Sequence, residues 1–191
     1  MRTSSSLSSA ARFALCAAVI AMSAPAGAGQ AGLSKPDRPD AAPAIVISAL
    51  HYSGRDGIND EAIQITNMSP APATLDGSWS FVDAGGHQRA FAYPGFALGP
   101  GQRAWIARNA NAFALQFGRQ PSLTFGQMSG ADLSFPNHGG SLQLLQVTSD
   151  TLDTANNPGG AWPAGTAGPS YRSMERIDPG GPDTPDNWTT A

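Results

Sequence analysis

From residue 44 onward, apolar and polar positions fall into short runs, each closed by turn residues. Ile45-Val46-Ile47-Ser48-Ala49-Leu50 is apolar and rich in β-branched side chains, the pattern of a buried first strand. Residues 62–67 alternate, with Ile63 and Ile65 on one face and Gln64 and Thr66 on the other, as a sheet packed against a core requires. Residues 79–82 and 89–93 predict a hairpin around Asp83-Ala84-Gly85-Gly86, where glycine admits positive φ. Leu98-Gly99-Pro100-Gly101 is a second tight turn, leading into a strand at 103–107. Further strands are predicted at 122–125, 141–145 and 151–154, and a last one at 171–177 ahead of a proline- and glycine-rich exit at 179–185. Strands this short, with a turn about every ten residues, predict a sandwich or barrel. No repeat of solenoid period interrupts them.

One segment breaks the period of two. Asn109 can cap a helix, Phe113 and Phe117 lie four apart on one face, and Gly118 stands where a left-handed C-cap belongs. A short helix over 110–117 is expected, its phenylalanines covering an open end of the core. Trp188, close to the terminus, is expected to dock into the sandwich, because a large aromatic is wasted in a frayed tail.

The region before residue 44 has a different character. Arg2 and Arg12 flank a serine-rich start, 13–22 is apolar, and Ala26-Gly27-Ala28 is an A-x-A cleavage site, so 1–28 reads as a secretory signal peptide. Its apolar centre is shorter than the roughly 20 residues a membrane span needs. Residues 29–43, with Pro36, Pro39 and Pro43, read as a disordered linker, leaving 44–191 as one domain. Cys16 reads as an ordinary signal-peptide residue: Leu15 precedes it and the apolar run continues past it, unlike a lipidation site. The mature protein, exported to the periplasm or beyond, then holds together without a disulfide. Cleavage after Ala28 removes two of the 11 basic residues and none of the 14 acidic ones, moving the charge balance from -3 to -5. Lys35 is the only lysine, and an acidic chain lacks the basic surplus of nucleic-acid binders.

The C-terminal part carries Gly159-Gly160-Ala161-Trp162-Pro163-Ala164-Gly165, then Ser173-Met174-Glu175-Arg176-Ile177-Asp178-Pro179, then Asp186-Asn187-Trp188. In that order and spacing these resemble the closing signature of bacterial lamin-tail domains. The opening strand at 45–50, the strand 61–67 that starts acidic and ends in Asn67, Leu75-Asp76-Gly77-Ser78-Trp79, the Pro-Gly turn at 98–101, and 133–142 with Asn137 and Gly139-Gly140 are similar to further family motifs. Ala62 stands where the family usually has an aromatic residue, and Ser78 where many members have glycine. The resemblance implies an all-β, immunoglobulin-like β-sandwich with one short helix. It also implies a non-catalytic module that works by binding.

Candidate chemistry was weighed against that expectation. His51, His87 and His138 read as solvent-exposed residues at strand ends and turns. A small hydrolase using His138 and Ser141 is the alternative; it needs a carboxylate orienting His138. Zinc is not expected, for want of cysteines or closely spaced ligands. Asp56, Asn59, Asp60 and Glu61 gather oxygen ligands in one loop and are the candidates for calcium, without the alternation of an EF-hand. A sparser group comprises Asp150, Asp153, Asn156 and Asn157. Asp and Asn are also the default turn residues, so no metal, cofactor or catalytic residue is assigned. Trp162 is read as closing the sandwich end, with an exposed stacking platform as the other reading. The expected function is binding of a protein or cell-envelope component through loops or an unpaired edge strand; self-assembly is a further alternative.

Overall fold

The computed structural model describes residues 44–191 except positions 56, 93, 148, 149 and 158. The expected signal peptide, the linker and Asp56 lie outside the described residues. Within them, no helix is long and apolar enough to cross a membrane. In chain order the strands are β1 (Ile45–His51), β2 (Ala62–Asn67), β3 (Ala73–Leu75), β4 (Trp79–Asp83), β5 (Gln88–Ala90), β6 (Phe96–Leu98), β7 (Arg103–Ala107), β8 (Leu123–Thr124), β9 (Ser129–Gly130), β10 (Leu142–Gln146), β11 (Asp150–Ala155), β12 (Met174–Arg176) and β13 (Trp188–Thr190). The helix is α1 (Ala110–Phe117).

Two sheets face each other. One has the order β13-β12-β1-β2-β7-β8, the other β11-β10-β4-β5-β9, and β3 and β6 form a separate ribbon. Ile45, Ile47, Leu50, Ile63, Ile65 and Ile106 of the first sheet meet Trp79, Phe81, Leu142 and Leu144 of the second in a single core. Among the described residues this is the expected all-β sandwich with one short α-helix, not a barrel. A β-bulge after Ile47 makes Ser48 the extra residue, so the inward side switches from Ile45 and Ile47 to Leu50. The outward Ser48 is buried too, and bonds Gln64 Oε1 at 3.0 Å and Thr66 Oγ1 at 2.8 Å.

A buried charge pair ties the sheets together. β12 pairs with β1 only at Ala49 and Leu50, so Ile47 lies beyond its reach. The Ile47 amide instead donates to Asp153 Oδ2 on β11 at 2.6 Å. The other oxygen of Asp153 accepts from Arg176 of β12 at 2.8 Å. Arg176 also donates to the Thr154, Pro179 and Gly181 carbonyls, and its guanidinium lies 5.1 Å from the centre of the Trp188 ring. Burial pushes the Asp153 carboxyl above its ordinary pKa, with Arg176 and the Ile47 amide opposing the shift.

Two expectations need correction. Helix α1 has the predicted bounds: the Asn109 side chain accepts from the Asn111 and Ala112 amides, and Gly118 closes it at φ 66°. Its phenylalanines do not cover an open end of the core, however. Phe113 and Phe117 pack with Trp105, Ala49, Ala62 and Ala107 on the outer face of the six-stranded sheet, where three alanines leave room for a helix to sit close. The strand at 171–177 shortens to β12 and is not the last, because β13 follows and pairs Trp188 with Arg176. Trp188 is 5% exposed, docked as expected, with its ring N–H on Asp183 Oδ1 at 2.8 Å. Finally, β8 runs parallel to β7, since α1 carries the chain over before it returns.

Asp153→Ala would leave the Arg176 charge and the Ile47 amide buried without their partner. It should cost about 3–5 kcal/mol in urea unfolding of the protein, against about 1 kcal/mol for removal of the helix cap by Asn109→Ala. Equal losses for the two variants would show that the pair does not hold the sheets together.

Candidate functional site

Where β1 leaves the sheet, four stretches of chain converge: the loop 52–61, residues 133–137, residues 164–172 and the Arg108 turn that opens α1. Side chains bond them to one another's backbone. Tyr52 donates to the Ala164 carbonyl at 3.2 Å, and Ser53 to that of Ala167 at 3.0 Å. Trp162 donates to the Pro136 carbonyl at 2.8 Å, and Gln116 of α1 to that of Tyr171 at 3.1 Å. Between them lies a cleft of about 480 Å3, lined among others by Ser53, Arg55, Glu61, Phe135, Asn137 and Tyr171. That volume falls in the range of small-ligand sites, about 300–1,000 Å3.

Glu61 lies at the cleft with 4% of its side chain exposed, and its Oε2 accepts from Arg108 Nε at 3.1 Å and Nη2 at 2.7 Å. Arg108 also donates to the Leu133 carbonyl, so a single guanidinium joins β2 to the strip 133–137. Burial pushes the Glu61 carboxyl up to about 7, against the opposing hydrogen bonds and charge of Arg108. Arg55, Asn137 and Tyr171 differ from Glu61: among the described residues, their side chains make no hydrogen bond or ion pair. Tyr171 holds φ at 46°, a left-handed conformation that a bulky side chain adopts only under constraint. Its carbonyl bond to Gln116 and the pairing of Thr166 with Arg172 around it supply that constraint.

The expected site residues are placed differently from one another. Asp56 is outside the described residues. Asp60 is buried, its carboxylate occupying the space that any side chain at Gly54 would need. Glu61 turns onto Arg108. Asp60 and Glu61 are therefore turned to different partners, and no group of three metal-ligating side chains exists among the described residues. In the second acidic group, Asp153 is taken up by Arg176 and Ile47. The side-chain amide of Asn156 donates to the Gly140, Gly160 and Ala161 carbonyls.

His51 corrects the expectation of solvent-exposed histidines. It is fully buried, 3.2 Å from the Ser173 hydroxyl and edge-on to Phe117 at 5.0 Å, and burial lowers its pKa against the pull of Asp60. His87 is half-exposed and pairs with Asp83 at 2.9 Å. His138 is exposed and, among the described residues, bonds neither Ser141 nor a carboxylate. Trp162 combines its two readings. It stacks on Tyr52 at 5.2 Å and packs on the core, yet it is only half-buried and opens onto a second cleft of about 350 Å3 shared with Trp188.

No family model matches the chain. No curated protein matches it either. Among solved structures, it is similar to a DUF4876 family protein from Bacteroides thetaiotaomicron VPI-5482, with 13% identity and a TM-score of 0.41. That similarity covers 54% of this chain and 42% of the other, so the chain spans less than half of that protein's length.

The charged groups beside the cleft set opposite pH dependences. Below the ordinary carboxyl pKa of 4.5, Glu61 is protonated in both folded and unfolded chains; between 4.5 and about 7 only the folded chain keeps the proton. The stability this group contributes is therefore lost as pH rises through about 7. His51 works the other way. Its folded pKa lies below 6.5, so its contribution is present above that value and lost on acidification. Urea unfolding of the wild type and of Glu61→Gln from pH 5 to 8.5 should show the wild type losing stability relative to the variant as pH rises. A difference that stays flat with pH would contradict the buried, proton-holding carboxyl.

Proposed function

We propose that this chain is an exported, non-catalytic binding module of the lamin-tail type, presenting the loop cleft around Arg55, Asn137 and Tyr171 to a protein or cell-envelope partner. One observation carries the reading: a cleft of about 480 Å3 whose walls are bonded together backbone to side chain, while three polar side chains at its lining bond to nothing among the described residues. Such preorganisation lets a partner bind without first ordering the loops.

Loops are favoured over strand addition by the sheet edges. β8 and β9 have two residues each and β13 has three, too short to template a partner strand over any length. The longer edge strand, β11, is joined through Asp153 to Ile47 of the facing sheet. Among the described residues no carboxylate bonds His138, as the hydrolase alternative would require, and no specific observation favours self-assembly.

The test is capture of cell-envelope components by the immobilised mature chain, compared with Asn137→Ala combined with Tyr171→Phe. The double variant should lose about tenfold or more in apparent affinity for whatever the wild type captures, with its melting temperature unchanged. Full capture by that variant, together with loss in Thr189→Pro, would move the interaction to the β13 edge and defeat the cleft reading.

A further inference from the structure

Resting on the cleft reading above, we propose that the group this cleft recognises is a carboxylate on a peptide chain, paired with the Arg55 guanidinium and bonded by the Asn137 amide and the Tyr171 hydroxyl. Charge selects the ligand. The charged residues lining the cleft among those described are Arg55 and Glu61. Both nitrogens that Arg108 turns toward Glu61 end on the same carboxyl oxygen, at 3.1 and 2.7 Å, so Glu61 is already engaged within the fold in either protonation state. Arg55, exposed on the tight turn closed by the Gly57 amide on the Gly54 carbonyl, has no such counter-charge among the described residues. Among the described lining residues, the charge left without a counter-charge is therefore positive, although the chain as a whole is acidic.

The available donors fit the same ligand. A guanidinium presents a planar fork of N–H groups that matches a carboxylate bidentately. The Asn137 amide and Tyr171 hydroxyl add neutral donors across the cleft. The strained backbone at Tyr171, φ 46°, is the kind of cost a fold retains where a side chain must be aimed. Pro136 gives the adjoining wall an apolar character suited to a peptide side chain. An acidic sugar fits less well. Trp162, the half-buried indole able to stack on a sugar face, lines the other cleft, and Phe135 at 2% exposure offers no face. Capture of a peptide carboxylate in a loop pocket is an established mode of recognition.

The experiment is an amide-shift NMR titration of the mature chain with three probes at millimolar concentration. They are the acetylated tripeptide Ala-Ala-Phe with a free C-terminal carboxylate, the same tripeptide with a C-terminal amide, and digalacturonate. The free acid should give saturable shifts in residues 53–57, 134–138 and 171. The amidated tripeptide should bind about tenfold more weakly or less, and Arg55→Gln should lose the preference while keeping the wild-type spectrum elsewhere. Arg55→Lys, which retains charge but not the fork, should fall between them. Equal binding of acid and amide, unchanged binding by Arg55→Gln, or no shift with the free acid would each overturn the proposal. Digalacturonate shifting these residues where the tripeptide does not would replace the peptide with an acidic saccharide. Loss of partner capture by the Asn137/Tyr171 variant with no carboxylate binding would refute this inference alone; carboxylate binding with capture intact would refute the function reading instead.

Discussion

The rest of the molecule depends on how two sheets stay in register without a covalent link. Apolar contact between Ile47, Ile65, Phe81 and Leu144 supplies most of the drive for closure, but such contact is non-directional and tolerates sliding. Asp153 removes that freedom. Its two oxygens reach an amide of β1 and the guanidinium of β12, both in the opposite sheet, at 2.6 and 2.8 Å. A buried ion pair contributes little net stability compared with well-packed apolar residues, because desolvation offsets the attraction. Its geometric demand is strict, though, and a misregistered sandwich would leave both charges buried and unpaired. The same residues fix the C-terminus: Arg176 lies against Trp188, and Asp183 accepts from Trp188, Thr154, Asn156 and Asn157.

The device is repeated on the side of the cleft. Glu61 and Arg108 sit at the ends of β2 and β7, adjacent strands of one sheet, and Arg108 reaches on to the strip that leads into β10 of the other. Arg89 does the same nearby, donating to the Phe125 and Ala131 carbonyls and pairing with Asp132, with both guanidiniums within 6 Å of the Phe125 ring. Carbonyls that a loop would otherwise leave facing a dry interior are thus satisfied by three arginines. At these three positions the guanidinium, with five donors in a planar fork, reaches acceptors on separate stretches of chain from one side chain.

How much of this the residues announced depended on the range of each signal. Helix α1 was legible to the residue, because Asn109, the Phe113–Phe117 spacing and Gly118 all act within one helix length. Its destination was not: the groove it fills is made by Ala49, Ala62 and Ala107 on three strands, and only their shared smallness on the outward face hinted at it. Glu61 looked like a loop carboxylate free for a cation because its partner, Arg108, lies 47 positions away. His51 looked exposed because the Phe117 and Ser173 that enclose it belong to other elements. β13 escaped notice because Trp-Thr-Thr is too short to show a period of two. The cleft itself had no motif at all, being assembled from four stretches that each read as ordinary turn.

A rigid cleft and a strained wall are related. Tyr171 can hold a left-handed backbone only because the Gln116 bond on one side and the Thr166–Arg172 pairing on the other leave the loop no relaxed alternative. The first of these bonds comes from α1, and α1 is seated on the outer sheet face by Trp105 and Phe113. The helix that packs away from the core therefore acts at the cleft through its exposed side, as a brace for the loop opposite Arg55. A binding site formed by loops can bind specifically only if the loops do not move to suit every ligand. Here the bracing comes from a helix whose placement the sandwich core does not itself require.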